Sequence, residues 1–406
     1  MSDDRPGIIY LTPVVPASQG NGLAMRAGLF LAGMSRGHAV TVVVVPVFGT
    51  PSPDRSFVDA LARSCLTLEL AAPADEISWP TELLSTPGGR DRAHQLYPLP
   101  TICRQPSPAA SRQLRNLVDD ACLVHVMRTY LAPCLDFLFD QRRRPPITLD
   151  LDELDSRVYR QLGCEQEIER FERLERYYIP RADHLYTASE VEARSVRERC
   201  GARQVTTVAN AVAPPLQSES VEPEYDLLFV GNLSYSPNVD AVRWLCGEIR
   251  GLLEGSTIAI VGSRPGAEVL ALAKLPGVTV AADVPDVAPW YARSRVAVAP
   301  LRSGGGTRIK ILEALAHRRP VVSTPQGATG LATGEENGVL VGGCAADFAA
   351  ACRRLLLDAS AAARIAAAGG RQLSTTEQIA VEIDVLTRAA LARRTEDPAD
   401  GSRGAS

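Results

Sequence analysis

Residues Val296–Ala316 read VAVAPLRSGGGTRIKILEALA. The apolar run predicts a strand ending near Pro300, and Ser303-Gly304-Gly305-Gly306 a flexible turn. Thr307 then caps a helix beginning at Arg308. Glycines let a ligand approach the backbone closely, and a helix start offers unpaired N–H groups with a partial positive charge. Together these make an anion site. Arg308 and Lys310 fall in the first helical turn, where a cation opposes the macrodipole by roughly 0.3–1 kcal/mol. Lys310 and Glu313 stand at i, i+3 with the lysine first, the weaker order for a helical ion pair. A solvated, salt-bridged face would be poorly arranged this way. A bound pyrophosphate reverses the argument, because both cations and the helix start then converge on one anion, with Glu313 free to accept from ribose hydroxyls. Lys274 and Lys310 are the only lysines in a chain that otherwise uses arginine.

Outward from this stretch, strand-length apolar runs alternate with helical patterns. In the first half the runs are Ile8–Val15, Val40–Val47, Cys122–Met127, Ile147–Leu151, His184–Thr187 and Val205–Ala209. In the second they are Asp226–Val230, Thr257–Val261, Val278–Val280, Val296–Pro300, Pro320–Ser323 and Gly338–Val341. Nearly continuous hydrophobicity marks strands covered on both faces. The alternation implies α/β architecture with two doubly wound, Rossmann-like parallel sheets and ligands near the carboxyl ends of the strands. The expected boundaries are 1–213 for the first domain, 214–224 for a Pro/Ser/Glu linker and 225–375 for the second domain. A final helical stretch over 376–394 is free to cross back to the first domain, and 395–406 reads as a disordered polar tail.

At 406 residues the chain exceeds the size at which one core stops growing. It is 46% apolar and 22% charged, with a net charge of -4, which gives no global attraction to nucleic acid or anionic membrane. No apolar stretch approaches the roughly 20 residues of a membrane span, and the start shows no signal-segment pattern. Nine scattered cysteines lack C-x-x-C spacing. The expectation is a cytoplasmic protein with reduced thiols, no metal and no cofactor.

The stretch from 296 resembles the C-terminal half of glycosyltransferase family 4, in the group reading roughly GGGTRLKILEA. The resemblance extends to Asp226–Leu245 (DLLFVGNLSYSPNVDAVRWL), Ile258–Pro265 (IAIVGSRP), Pro276–Ala292 (PGVTVAADVPDVAPWYA) and Pro320–Leu331 (PVVSTPQGATGL). It is weaker at Gly20–Val45, Ile147–Tyr159 and Phe171–Val212. It implies a GT-B fold, two facing Rossmann-like domains around a cleft, with a nucleotide diphosphate sugar as donor. Lys310 would neutralise the pyrophosphate and Glu313 hold the ribose. Main-chain groups of Asp283 and Val284 would meet the base, and Gly304, Gly305, Gly306 and Thr307 would supply backbone donors. The resemblance further implies retention of configuration, with the acceptor attacking on the leaving group's face. Two departures stand out. The first acid of the family's E-x7-E pair is replaced by Gly305, and a phosphate-binding arginine by Asn232, which leaves more of the work to Arg308 and Lys310.

Other positions keep two readings open. Gly20-Asn21-Gly22 is a tight turn, or a loop over the donor as the resemblance implies. Its glycines do not complete G-x-G-x-x-G, which disfavours a dinucleotide-dependent oxidoreductase. Asp150-Leu151-Asp152 is an acidic helix start or, less in keeping with the dipole argument, a metal-binding D-x-D. His125 is a core histidine or a cleft residue, and Arg128 lies just beyond the same strand. Arg142-Arg143-Arg144 is a solvated loop or a contact for an anionic lipid or acceptor. Ser236 caps a helix in which Pro237 is the first residue. The acceptor is unspecified: a glycan precursor, a lipid-linked one or a secondary metabolite, with peripheral membrane contact unsupported. Rival activities are a GT-B epimerase or phosphorylase, or a catalytically silent GT-B partner.

Overall fold

The computed structural model describes residues 5–72, 91, 95–139, 141, 143–213, 221–305, 308–371 and 373–395. Most of the expected linker (214–220), most of the polar tail (396–406), and Gly306, Thr307 and Arg142 lie outside the described residues. The chain divides into two compact units. One comprises Met1–Ala209 with Glu377–Ser406, the other Asn210–Thr376.

The first unit holds β1 (Gly7–Thr12), β2 (Ala39–Val44), β3 (Ser64–Thr67), β4 (Leu123–Met127), β5 (Ile147–Asp152), β6 (His184–Thr187) and β7 (Val205–Thr207). They form one sheet in the order β3-β2-β1-β4-β5-β6-β7, every neighbouring pair parallel. β2 and β4 are buried along their whole length, as strands sandwiched between layers should be. The edge strand β3 was not legible in the sequence. Its four residues SCLT carry no periodic run, and pairing with β2 rather than propensity holds them extended.

After β1 the chain turns into α1 (Gly22–Met34). The Asn21 side chain caps it by accepting from the Ala24 N–H at 2.9 Å. Helix α2 (Asp155–Gln161) follows β5 and packs against α3 (Glu165–Tyr178).

The second unit holds β8 (Tyr225–Val230), β9 (Ile258–Gly262), β10 (Val278–Ala282), β11 (Ser294–Ala299), β12 (Val321–Ser323) and β13 (Val339–Val341). The order is β10-β9-β8-β11-β12-β13, again all parallel. Its core is built on Phe229, Ile260, Val298 and Phe348. The strand order reverses between β8 and β11, just as it does between β1 and β4 in the first sheet. Such a switch point opens a crevice outside the strands' carboxyl ends, because the flanking connections leave to opposite sides.

Three helices frame that crevice: α4 (Ser236–Trp244), α5 (Ala288–Ala292) and α6 (Ile309–Ala316). Two helix starts differ from expectation. Tyr235, not Ser236, occupies the cap position of α4, with Ser236 and Pro237 already helical. Arg308 occupies the cap position of α6, so the first turn begins at Ile309. The final helix α7 (Thr376–Thr395) belongs to the first unit almost entirely, and Ile383 lies against Gly33 of α1.

Candidate functional site

The second unit brings the decisive residues together at its switch point. β8 ends at Val230, and Gly231 follows, where a Cβ would crowd the side-chain ends that meet there, standing 3.0 Å from the Lys310 Nζ and 2.9 Å from the Asn238 Nδ2. Gly262, at the end of β9, is similarly constrained, since a Cβ would lie 1.7 Å from the Gly231 carbonyl oxygen. The two glycines let the strand ends and the lysine share one small space. Lys310 reaches back from the first turn of α6, donates to Asn238 Oδ1 at 2.7 Å, and lies 4.2 Å from the centre of the Phe229 ring. Among the described residues no carboxylate pairs with it. Burial, reinforced by the Arg308 charge and opposed by Glu313, lowers its pKa to about 7. An anion arriving here would meet a charge whose partners among the described residues are an amide oxygen and an aromatic face.

Asn232 does not face Lys310 directly. Its Oδ1 accepts from Ser234 N and Oγ at 3.0 and 2.8 Å, and its carbonyl accepts from Asn238 Nδ2 at 2.8 Å. It thereby shapes the loop that holds Asn238. Asn238 itself is buried, and sequence reading passed it over as one more residue of a helix start. Its place two residues after Ser236, in the first turn of a helix aimed at the crevice, was the available signal.

The glycine turn is braced from within. Gly304 takes φ 92°, a conformation that favours glycine, and a Cβ would stand 3.1 Å from Pro237. The buried Arg308 guanidinium donates to the carbonyls of Gly305 (2.5 Å), Gly304 (2.6 Å) and Gln326 (3.1 Å). Gln326 Nε2 adds a further bond to the Gly304 carbonyl at 2.8 Å. These bonds hold the Gly304–Gly305 segment by its carbonyl oxygens. In this structure Arg308 therefore acts on the turn, and Gln326 is a second residue that the sequence did not single out.

One turn along α6, Glu313 Oε2 accepts from the Tyr291 hydroxyl of α5 at 3.0 Å. Tyr291 is buried and stacks on His317 at 4.6 Å and 9°. Burial raises the Glu313 pKa to about 7; Asp286 adds to the rise, while the Tyr291 bond and Lys310 pull it down. Beyond β10, Asp283 adopts φ 50° and its Oδ1 accepts from the Arg264 N–H at 2.9 Å, joining the loops after β9 and β10. Val284 packs against the apolar cluster that includes Tyr291 and Ile311.

The remaining candidates lie in the first unit, around the carboxyl ends of β1, β4 and β5. Gly20 takes φ 106° and Gly22 opens α1, with Asn21 as the cap between them. His125 is buried, with Nδ1 2.7 Å from Thr148 Oγ1 and its ring stacked on Phe30 at 4.7 Å. Burial, helped by Arg26, lowers its pKa to about 3, so it is neutral at physiological pH. Arg128 follows β4 with φ 73°, buried, and pairs with Asp155, with Asp152 at 3.5 Å and with Glu153 at 3.7 Å.

Asp150 is fully buried and grips Arg26 of α1 with both oxygens, at 2.6 and 2.7 Å. A lone arginine on the otherwise apolar helix GLAMRAGLFLAGM was the sequence signal for this pair. The carboxylate of the D-x-D reading that is most buried is thus bound to a guanidinium. Among the described residues no three His, Cys, Asp or Glu side chains are arranged to hold a metal ion. Likewise, no helix is long and apolar enough to cross a membrane.

Residues 224–358 match the family described as glycosyl transferases group 1. No curated protein sequence matches the chain significantly. Solved structures do. Sucrose-phosphate synthase of Thermosynechococcus elongatus superposes with a TM-score of 0.69 at 17% identity, over 96% of this chain and 100% of the other. HepE of Anabaena, in complex with UDP and glucose, gives 0.69 at 12% identity over 96% and 100%. TarM of S. aureus, in a complex that includes UDP, gives 0.64 at 9% over 95% and 99%. At these identities the superpositions speak for the fold. The family match lies within the second unit, over the stretch that includes Lys310. Residues 224–358 are thus similar to glycosyl transferases group 1, and the chain is built on the GT-B fold.

Proposed function

We propose that the chain transfers a sugar from a nucleoside diphosphate donor to an acceptor hydroxyl, with retention and without a metal ion. The observation that carries this reading is Lys310, placed at the switch point with no carboxylate in salt-bridge contact among the described residues. The structurally similar proteins solved in complexes that include UDP support the donor class. In the proposed step the bond between the anomeric carbon and the diphosphate oxygen breaks, and its electron pair passes to the diphosphate. Lys310 and the N–H groups of the glycine turn stabilise that charge as it develops. The acceptor oxygen bonds the anomeric carbon on the same face, and its proton passes to a phosphate oxygen of the departing group. The commitment of Asp150 to Arg26 supports a route that uses no D-x-D metal site.

The decisive variant is Lys310→Ala. Loss of one charge-stabilising donor should raise the barrier by about 2.7–4 kcal/mol, read as a fall in kcat/KM against the acceptor found by screening. Unchanged turnover would remove the assignment. The same assay sorts the rivals. An epimerase would convert donor with no acceptor added, a phosphorylase would need free phosphate, and a silent partner would bind nucleotide without turnover. The product's anomeric configuration by NMR tests retention, and undiminished activity in EDTA tests independence of metal.

A further inference from the structure

We propose that Asn238 is a positioning residue that aims Lys310 without forming an ion pair with it, so that its charge stays available to an anionic diphosphate. The inference deepens the donor-site reading above and rests on it. Asn238 is buried, and its amide orientation is set by the chain itself, because Nδ2 donates to the Asn232 carbonyl at 2.8 Å. Oδ1 is therefore the atom left facing Lys310, at 2.7 Å. An amide oxygen orients an ammonium group without neutralising it. An aspartate of the same shape would orient it too, but would form an ion pair that a diphosphate must displace. The space was kept for this arrangement on three sides. Gly231 omits the Cβ that would crowd Nζ, Phe229 offers a ring face, and Asn238 a hydrogen-bond acceptor.

The groups that set the lysine's charge are few. Arg308 and Glu313 act from its own segment. Phe229, Gly231 and Asn238, which face it from β8, the loop and α4, do not titrate. Tyr291 of α5 approaches only the Lys310 carbonyl oxygen, at 3.5 Å. Replacing Asn238 by an acid would add a full negative charge where none now stands.

With only two lysines in the chain, amine labelling is resolved by site. The full chain, as wild type, N238A and N238D, is labelled with succinimidyl acetate over a range of pH without nucleotide. Lys310 and Lys274 are quantified by mass spectrometry, and thermal melts confirm folding. The labelling midpoint of Lys310 should rise in N238D by about one unit or more, a factor of ten in its protonation equilibrium, and should fall in N238A, which loses an acceptor that favours the ammonium. Titration calorimetry with uridine diphosphate should show affinity lowered about tenfold or more in N238D, and by no more than about threefold in N238A.

If N238D and N238A coincide in both measurements, charge compensation is irrelevant and the proposal is overturned. Should N238D fail to fold, N238A decides alone: a Lys310 profile superimposed on wild type or displaced upward overturns it, and one displaced downward supports it. If the midpoints order as expected but uridine diphosphate neither binds nor protects wild-type Lys310 from label, the positioning role stands and the donor-site reading falls.

Discussion

Lys310 and Glu313 face each other's titration from opposite sides. Burial lowers the lysine to about 7 and raises the glutamate to about 7. Catalysis as proposed needs the ammonium charged, a condition lost as pH rises through that value. It also needs the carboxylate ionised to receive ribose hydroxyls, a condition lost as pH falls through the same value. The pH profile of kcat/KM, which reports the free enzyme, should be a narrow bell centred near neutrality. Glu313→Gln should remove the acid limb and Lys310→Arg the alkaline one, as measured by initial rates in constant-ionic-strength buffers. A flat profile from pH 6 to 9 would contradict both assignments. Lys310 and Glu313 were visible in the sequence because a cation at a helix start has no good bland explanation. Asn238 and Gln326 were not, since their importance comes from what they touch across the crevice, at sequence separations of 72 from Lys310 and 22 from Gly304.

At the scale of elements, the glycine turn depends on an arginine directed inward. The sequence showed strand, glycines and helix in the right order, but not that Arg308 would sit at the cap position with its fork on the turn's own carbonyls. Direction of a side chain is set by tertiary packing, which local pattern does not encode. The short edge strand β3 escaped for a related reason, because its extended shape comes from β2. If Arg308 shapes the turn, Arg308→Lys should behave as a shape defect even though the charge is kept. A lysine lacks the planar fork that reaches several carbonyls at once. The expected loss is about 1.5–3 kcal/mol in nucleotide binding, the range for hydrogen bonds to charged groups. Calorimetry reads it, and an affinity equal to wild type would assign Arg308 to charge alone. Gly304→Ala should cause a similar defect, because φ 92° and the neighbouring Pro237 both oppose a side chain.

At the scale of the molecule, the chain leaves the first unit at Ala209, builds the second, and returns at Glu377 to finish the first with α7. Alternation of apolar runs made both sheets legible in advance, because parallel strands buried on two faces announce themselves. The destination of α7 was less legible, since amphipathicity says that a helix packs and not on what. Here it packs on α1, with Ile383 over Gly33, where a Cβ would lie 2.5 Å from the Ile383 Cβ. The consequence is a separation of stability from donor binding. Gly33→Ala should force α7 off α1 and destabilise the first unit by about 1–3 kcal/mol, the usual cost of overpacking. The nucleotide contacts proposed for Lys310, Glu313 and the glycine turn all belong to the second unit, so nucleotide affinity at a temperature where the variant is folded should stay at the wild-type value. Denaturant unfolding and calorimetry on one preparation check both halves. If affinity fell in step with stability, the contacts named here would not be the ones that hold the diphosphate, because a defect confined to α1 and α7 touches none of them.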